Sequence, residues 1–249
     1  MKVILLSDIH ANWEALSKIS EEIYKMQPEF IIHLGDVVGY GAEPEKCCNW
    51  TKDNCNISII GNHDAVVINK MDPAFFSLNA RTAIEWTKKQ TTAECISYLK
   101  KLPYTFSMDE FLFCHGSPVN PENFDYILDY YSAEDAVDYM KETPYRILFV
   151  GHSHKAFILE ETDGDFELYN NSIIEEEDFY FKKDKYYVVS LGSVGQPRDG
   201  DPRSSFALLD TDEKKLRMFR HKYDVDSAAG KIKNSKLPEV LAKRLFIGK

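Results

Sequence analysis

The stretch Lys2-Val3-Ile4-Leu5-Leu6-Ser7-Asp8-Ile9-His10 decides how this chain is read. Val3 to Leu6 is an unbroken apolar run closed by a polar turn, the pattern of a strand buried on both faces. In Asp8-Ile9-His10, positions i and i+2 point the same way while the chain stays extended, so both side chains can reach one ion. The same grammar recurs along the chain. Phe30 to Leu34 ends on Gly35-Asp36, and Ile57 to Ile60 ends on Gly61-Asn62-His63-Asp64. Phe111 to Cys114 lands on His115-Gly116, and Ile147 to Val150 on Gly151-His152-Ser153-His154.

Between these runs the sequence reads as helix. Asn12 is a cap for a helix whose apolar face is Ala15, Leu16, Ile19 and Ile23, with Pro28 past its end. A second helix precedes Asn54. The resulting β-α-β-α-β order predicts a parallel sheet with right-handed crossovers. Residues 69–102 form a helical excursion in which Thr91 caps and Glu94 completes a capping box. Ser132-Ala133-Glu134-Asp135 opens another helix. From about residue 156 the segments shorten: Phe157 to Glu160, Phe166 to Tyr169, Tyr186 to Leu191, Ser205 to Leu209 and Lys215 to Arg220. They are separated by Asp-Gly or polar turns and read as antiparallel strands of a second sheet. Pro238 to Leu245 is a short amphipathic helix. With no linker in evidence, a single domain over 1–249 is the expectation.

Two histidine motifs weigh little alone; their joint placement carries the argument. Asp8, Asp36, Asn62, His115, His152 and His154 are expected together at the carboxyl edge of one parallel sheet, where such folds build their sites. Imidazoles with carboxylates and an amide oxygen suit first-row transition metals better than Mg²⁺ or Ca²⁺. Two such ions roughly 3.5–4 Å apart activate a bridging water and clamp an in-line displacement at phosphorus. Asp36, between the other ligand groups in chain order, is placed to bridge them. His63 adjoins a ligand and can protonate a leaving oxygen. Asp64 either orients a nearby imidazole or caps a helix. His33 is read as a buried, hydrogen-bonded histidine, since it does not share a strand face with Asp36. His221 is read as a surface residue.

Composition narrows the field. A net charge of −10 and a pI near 5.2 argue against bulk affinity for nucleic acid or anionic membrane. Five cysteines (Cys47, Cys48, Cys55, Cys95, Cys114) are odd in number and lack a C-x-x-C pair, as in reduced, cytoplasmic proteins. No apolar run approaches a signal-peptide core or a membrane span.

The ordered set Asp8-x-His10, Gly35-Asp36, Gly61-Asn62-His63-Asp64, His115-Gly116 and Gly151-His152-x-His154 resembles the calcineurin-like metallophosphoesterase superfamily, over about residues 1–210. The resemblance implies an αββα sandwich, two packed mixed sheets flanked by helices. It implies one divalent metal on Asp8, His10, Asp36 and His154, a second on Asp36, Asn62, His115 and His152, and His63 as catalytic acid. Mn²⁺ is the favoured ion, with Fe, Zn, Ni or Co as the others. The stretches Gly35 to Gly41 and Gly192 to Arg203 look like the small prokaryotic branch related to diadenosine tetraphosphatases and Ser/Thr phosphatases.

In the second stretch Arg198 and Arg203 could bind phosphate oxygens bidentately, or pair with Asp199 and Asp201 in a turn. Asn79 and Arg81 could face the site from the helical excursion. The aromatics at Phe124-Asp125-Tyr126 through Tyr131, and at Phe179 to Phe181, could stack a base, form a subunit contact or simply pack. The function expected is hydrolysis of a phosphate ester or anhydride by a metal-bridging hydroxide. A small phosphorylated substrate of nucleotide type is favoured, a dinucleoside polyphosphate or a phosphodiester. A protein Ser/Thr phosphatase, or a non-catalytic scaffold of the same fold, is the alternative.

Overall fold

Val3 and Leu5 of β1 (Lys2–Leu6) belong to one apolar cluster and Ile4 and Leu6 to another, so successive side chains of a single strand serve two cores. The protein is described by a computed structural model covering residues 1–170, 175 and 177–249. The first cluster fills the space between two six-stranded mixed sheets and continues onto the helix over Tyr130–Lys141 that packs on the second sheet, while the second cluster lies between the first sheet and its helices.

The first sheet has the order β3 (Ile57–Ser58), β2 (Phe30–His33), β1, β11 (Ser204–Asp210), β12 (Lys215–His221) and β9 (Asp178–Tyr180). β1, β2 and β3 are parallel, as the alternation of strand and helix predicts. The second has the order β4 (Thr105–Met108), β5 (Phe111–Cys114), β6 (Ile147–Val150), β10 (Tyr186–Leu191), β7 (Ala156–Thr162) and β8 (Asp165–Asn170). Here β5, β6 and β10 are parallel and the outer strands antiparallel.

Helix α1 (Trp13–Met26) starts where expected: Asn12 Oδ1 accepts from Ala15 N at 3.1 Å, and Ala15, Leu16, Ile19 and Ile23 are buried. With α2 (Pro44–Asn54), α3 (Asn62–Val67), α4 (Leu78–Gln90) and α5 (Ala93–Leu99) it covers the outer face of the first sheet. α6 (Tyr130–Lys141) packs on β10 through Ala133, Ala136, Val137 and Met140. α7 (Val225–Asn234) and α8 (Glu239–Leu245) pair with each other and against Ala83 of α4 in a small third cluster. Two layers of strands thus lie between two layers of helices.

The structure corrects three readings. The late strands do not make a sheet of their own. β7, β8 and β10 join β5 and β6, whereas β11 crosses back to pair with β1 (Lys2 opposite Asp210) and carries β12 with it. The cap of α5 is Thr92, whose hydroxyl accepts from Cys95 N at 3.2 Å, because Thr91 closes α4. α6 starts earlier than Ser132, with Asp129 as its cap and Ser132 three residues in.

Candidate metal centre and the cleft above it

The motif loops leave the ends of five strands, but not the edge of one sheet. Asp8, Asp36 and Asn62 follow β1, β2 and β3 of the first sheet, while His115, His152 and His154 follow β5 and β6 of the second. The one-sheet expectation is therefore corrected: the site spans the seam between the sheets. Backbone bonds stitch the loops together. Asp8 N donates to Gly35 O at 3.0 Å and His10 N to Asp36 O at 2.9 Å within the first sheet. Across the seam, His152 N donates to Asp8 Oδ2 at 3.0 Å. Asp8, His10, Asp36, His152 and His154 all have φ between 48° and 63°, the left-handed region that L-residues seldom occupy and that gathers at functional sites. Gly61 is required by contact: a Cβ there would overlap Asp36 Oδ1.

The side chains meet in overlapping groups. Ligand atoms of Asp8, His10 and His154 lie within 4.8 Å of one another, as do those of Asp36, His115 and His152, and those of His10, Asp36 and His63. Asp36 joins the first two groups: its Oδ2 is 3.5 Å from His10 Nε2 and 3.4 Å from His115 Nε2. Asn62 Oδ1 stands 3.2 Å from His115 Nε2. Three of the rings are aimed by a backbone carbonyl. His10 Nδ1 donates to Val38 O at 3.1 Å, His115 Nδ1 to Leu34 O at 2.7 Å and His154 Nδ1 to Gln196 O at 2.5 Å. Each bond puts a proton on Nδ1 and points Nε2 into the site, the outer-shell arrangement typical of metal-bound histidine.

The donor set fits divalent cations. Asp8 Oδ1 and Asp36 Oδ2 are buried carboxylate oxygens without a hydrogen-bond partner among the described residues. Leaving them so costs free energy that a cation recovers. Burial pushes both carboxyls up, but the surrounding imidazoles more than reverse this and hold them well below the usual carboxylate range. Burial likewise lowers His10, His152 and His154, and takes His63 down to about 4. His115 runs the other way: burial lowers it, yet Asp36 outweighs that and raises it to about 9.

Above this centre opens a cleft of about 700 Å³, within the range that holds small molecules. Asp36, Asn62, His63, His152 and His154 form its floor. Met71, Phe75 and Phe76 stand on one side, Phe124 and Tyr126 on another, and Arg198 and Arg244 also reach it. Tyr126 is stacked on His152 at 3.7 Å between ring centroids.

Residues 1–214 match the calcineurin-like phosphoesterase superfamily domain. The chain belongs to that family. Its sequence is 36% identical over 252 residues to the uncharacterized protein MJ0912 of Methanocaldococcus jannaschii, covering 99% of this chain and 98% of that one. In structure it is similar to a metallophosphoesterase from Sphaerobacter thermophilus, with a TM-score of 0.87 and 32% identity over 100% of this chain and 99% of the other. It is also similar to the hypothetical protein PH1004 of Pyrococcus horikoshii OT3, with a TM-score of 0.76 and 24% identity over 100% and 98%. The calcineurin-like phosphoesterase family implies divalent metal ions, and the His/Asp groups above are where they fit.

Within this metallophosphoesterase the remaining residues sort by contact. Among the described residues no imidazole bonds to Asp64. Its carboxylate accepts from the backbone N–H groups of Asp36 (2.9 Å), Val37 (3.3 Å), Val38 (3.1 Å) and Gly61 (3.1 Å), locking the Asp36 loop to the start of α3. His33 is fully buried, and its Nδ1 accepts from Gly35 N at 3.3 Å. His221 is half-buried and stacks on Phe206 rather than standing free at the surface. Arg203 is engaged by Asp201 and Glu175 at 2.6 Å each, and does not line the cleft. Arg81 lines a separate groove with Trp86, and Asn79 lies outside the cleft. Phe179 and Phe181 pack edge to face on Tyr187, whereas Phe124 and Tyr126 line the cleft. Arg244, Phe75 and Phe76 went unread in the sequence. Nothing local marks Arg244, which lies in an ordinary amphipathic helix 46 positions beyond Arg198.

No helix among the described residues is long and apolar enough to cross a membrane, and all five cysteines are free.

Proposed function

We propose that this protein is a cytoplasmic, binuclear metal-dependent phosphoesterase that hydrolyses a small nucleotide-type phosphate ester or anhydride, with Mn²⁺ as the favoured metal. One observation carries this reading. The two ligand groups, Asp8–His10–His154 and Asp36–His115–His152, meet at the single oxygen Asp36 Oδ2, which lies within 3.5 Å of a histidine from each. Two divalent ions held there would neutralise phosphoryl oxygens and lower the pKa of the attacking water.

The chain's own residues supply the rest. Asn62 contributes a neutral oxygen beside His115. His63 is buried at the cleft floor, with its ring centroid 4.8 Å from that of His10 and 4.3 Å from that of Tyr40. At rest it is neutral, since burial holds it at about 4. A phosphate dianion beside it raises its proton affinity, so it carries a proton to the leaving oxygen. Arg198 lies over the Tyr40 ring at 5.5 Å and lines the cleft with no carboxylate partner among the described residues. Its guanidinium is free to take phosphoryl oxygens. The aromatic sides of the cleft, Tyr126 (48% exposed) and Phe75 (86% exposed), favour a substrate with a flat apolar part, which is why a nucleotide ranks ahead of a phosphoprotein.

The test is phosphate release from a panel of nucleotide and aryl phosphate esters under Mn²⁺, before and after EDTA. Turnover that EDTA abolishes and Mn²⁺ restores supports the proposal. No release from any ester with several transition metals overturns it.

A further inference from the structure

We propose that the segment beyond residue 214 completes the cleft with a second anion subsite, in which Arg244 and Arg198 together hold a phosphate group next to the one hydrolysed. The inference rests on the phosphoesterase reading for the place of the first phosphate. It selects, as substrates, compounds with linked phosphates, diphosphates and longer chains, over simple monoesters.

The geometry is that of two cations converging on one neutral acceptor. Gln196 Oε1 accepts from Arg198 Nη2 at 2.8 Å and Nε at 3.3 Å, and from Arg244 Nη1 at 3.2 Å. Neither guanidinium has a carboxylate partner among the described residues. The neighbouring arginines of this chain differ: Arg203 is held by Asp201 and Glu175, Arg217 by Asp178 and Arg220 by Asp199. Arg244 Nε is also a buried donor with no hydrogen-bond partner among the described residues. Burial and the adjacent Arg198 charge both press on the Arg244 cation. Like charges brought together and partly desolvated are costly, and an anion between them removes that cost while using the unmatched donors.

The two arginines are also ordered along the cleft. Arg198 N donates to His154 O at 3.0 Å, beside the metal centre, and its guanidinium lies over the Tyr40 ring at 5.5 Å, whereas Arg244 reaches the cleft from α8 and meets the same loop at Gln196 Oε1. Arg198 is therefore the inner cation and Arg244 the outer one. Gln196 ties them to the centre, because its backbone carbonyl holds His154 Nδ1 while its side chain holds both arginines. The outer cation is well supported. Leu241, Ala242 and Leu245 of α8 are buried against Ala83 and Ile232, and Gly200 N donates to Gly248 O at 2.9 Å, fastening the tail to the arginine loop. α8 lies wholly outside the residues that match the family domain.

The experiment compares inorganic pyrophosphate and orthophosphate binding to the full-length, Mn²⁺-loaded protein by calorimetry, for wild type, Arg244→Gln, Arg244→Ala and Arg244→Lys. Expected is a pyrophosphate preference in wild type that falls by about tenfold or more in Arg244→Gln and Arg244→Ala, orthophosphate changing less than about twofold. Arg244→Lys keeps the charge but not the fork and falls between. If Arg244→Ala fails to fold, the Gln and Lys variants give the same reading. A pyrophosphate preference untouched in the variants, or an equal loss for both anions, overturns the subsite. Absence of any esterase turnover with the Arg244-dependent preference intact would instead sink the enzymatic reading alone.

Discussion

The Nε2 atoms of His10 and His154 stand 3.0 Å apart, and each ring has its Nδ1 committed to a backbone carbonyl. Two imidazole lone pairs held at that distance repel unless a cation lies between or beside them. Divalent metal is therefore expected to stabilise the fold. At a hundred times its dissociation constant a ligand contributes about 2.7 kcal/mol, or roughly 5–10 °C of melting temperature for a chain this size. Scanning calorimetry with Mn²⁺ and then EDTA measures it. His154→Ala is expected to bind about one metal per chain in place of about two, by elemental analysis. Identical melting with and without metal, in a protein shown to be metal-free at the start, would contradict the assignment.

Asp64→Ala leaves four backbone donors without their acceptor, and buried unsatisfied groups cost about 1–3 kcal/mol each before relaxation. Urea unfolding should show a loss of about 3 kcal/mol or more, with Asp64→Asn milder because its amide oxygen still accepts. Equal stability of wild type and Asp64→Ala would show that water replaces the carboxylate without cost.

Gly39 has φ +92, and a Cβ there would overlap His63 Nδ1. Gly39→Ala displaces the imidazole without touching a ligand group. Its kcat should fall toward that of His63→Ala, about 10²–10⁴-fold below wild type, with bound metal unchanged in both. Wild-type kcat in either variant removes His63 from proton transfer.

Acid stability should report His33. Burial holds this imidazole at about 3, against 6.5 in the unfolded chain. Above pH 6.5 neither state is protonated and the full stability is present. As pH falls from 6.5 toward 3 the unfolded chain binds a proton that the folded chain refuses, so stability is lost. By pH 5 the loss from this one group is about 2 kcal/mol. In His33→Gln the slope of unfolding free energy between pH 6 and 4 should shrink by about 1.4 kcal/mol per pH unit, read from urea melts. An unchanged slope would assign the effect to other histidines.

What the sequence made legible was local. An apolar run followed by Asp, Asn or His names both a strand and the side chain at its end, so β1, β2, β5 and β6 and their loops could be read with little error. Pairing is not local. Nothing near Ser204 says that β11 will lie beside β1, some two hundred residues earlier, and so the late strands were given to the wrong sheet. The same limit hid the seam. The motif order alone does not say that His115 and His152 approach Asp36 from an opposing sheet. The Thr91/Thr92 cap failed by one residue because either hydroxyl can serve, and only the close of α4 decides. Asp64 was undecided for a related reason: its partners are backbone groups of a loop almost thirty residues upstream. Arg244 was invisible because its meaning is set wholly by where α8 docks.

The crossing of β11 onto β1 sets an order of events in folding. The loop that carries Asp8 and His10 is closed by the bonds from Val194 N to Ser7 O and Gly195 N to Asp8 O, and its strand by residues 204–210. The ligand groups therefore take their mutual geometry only once segments some two hundred residues apart have met. Until β11 docks, the chain presents scattered histidines in place of a built site.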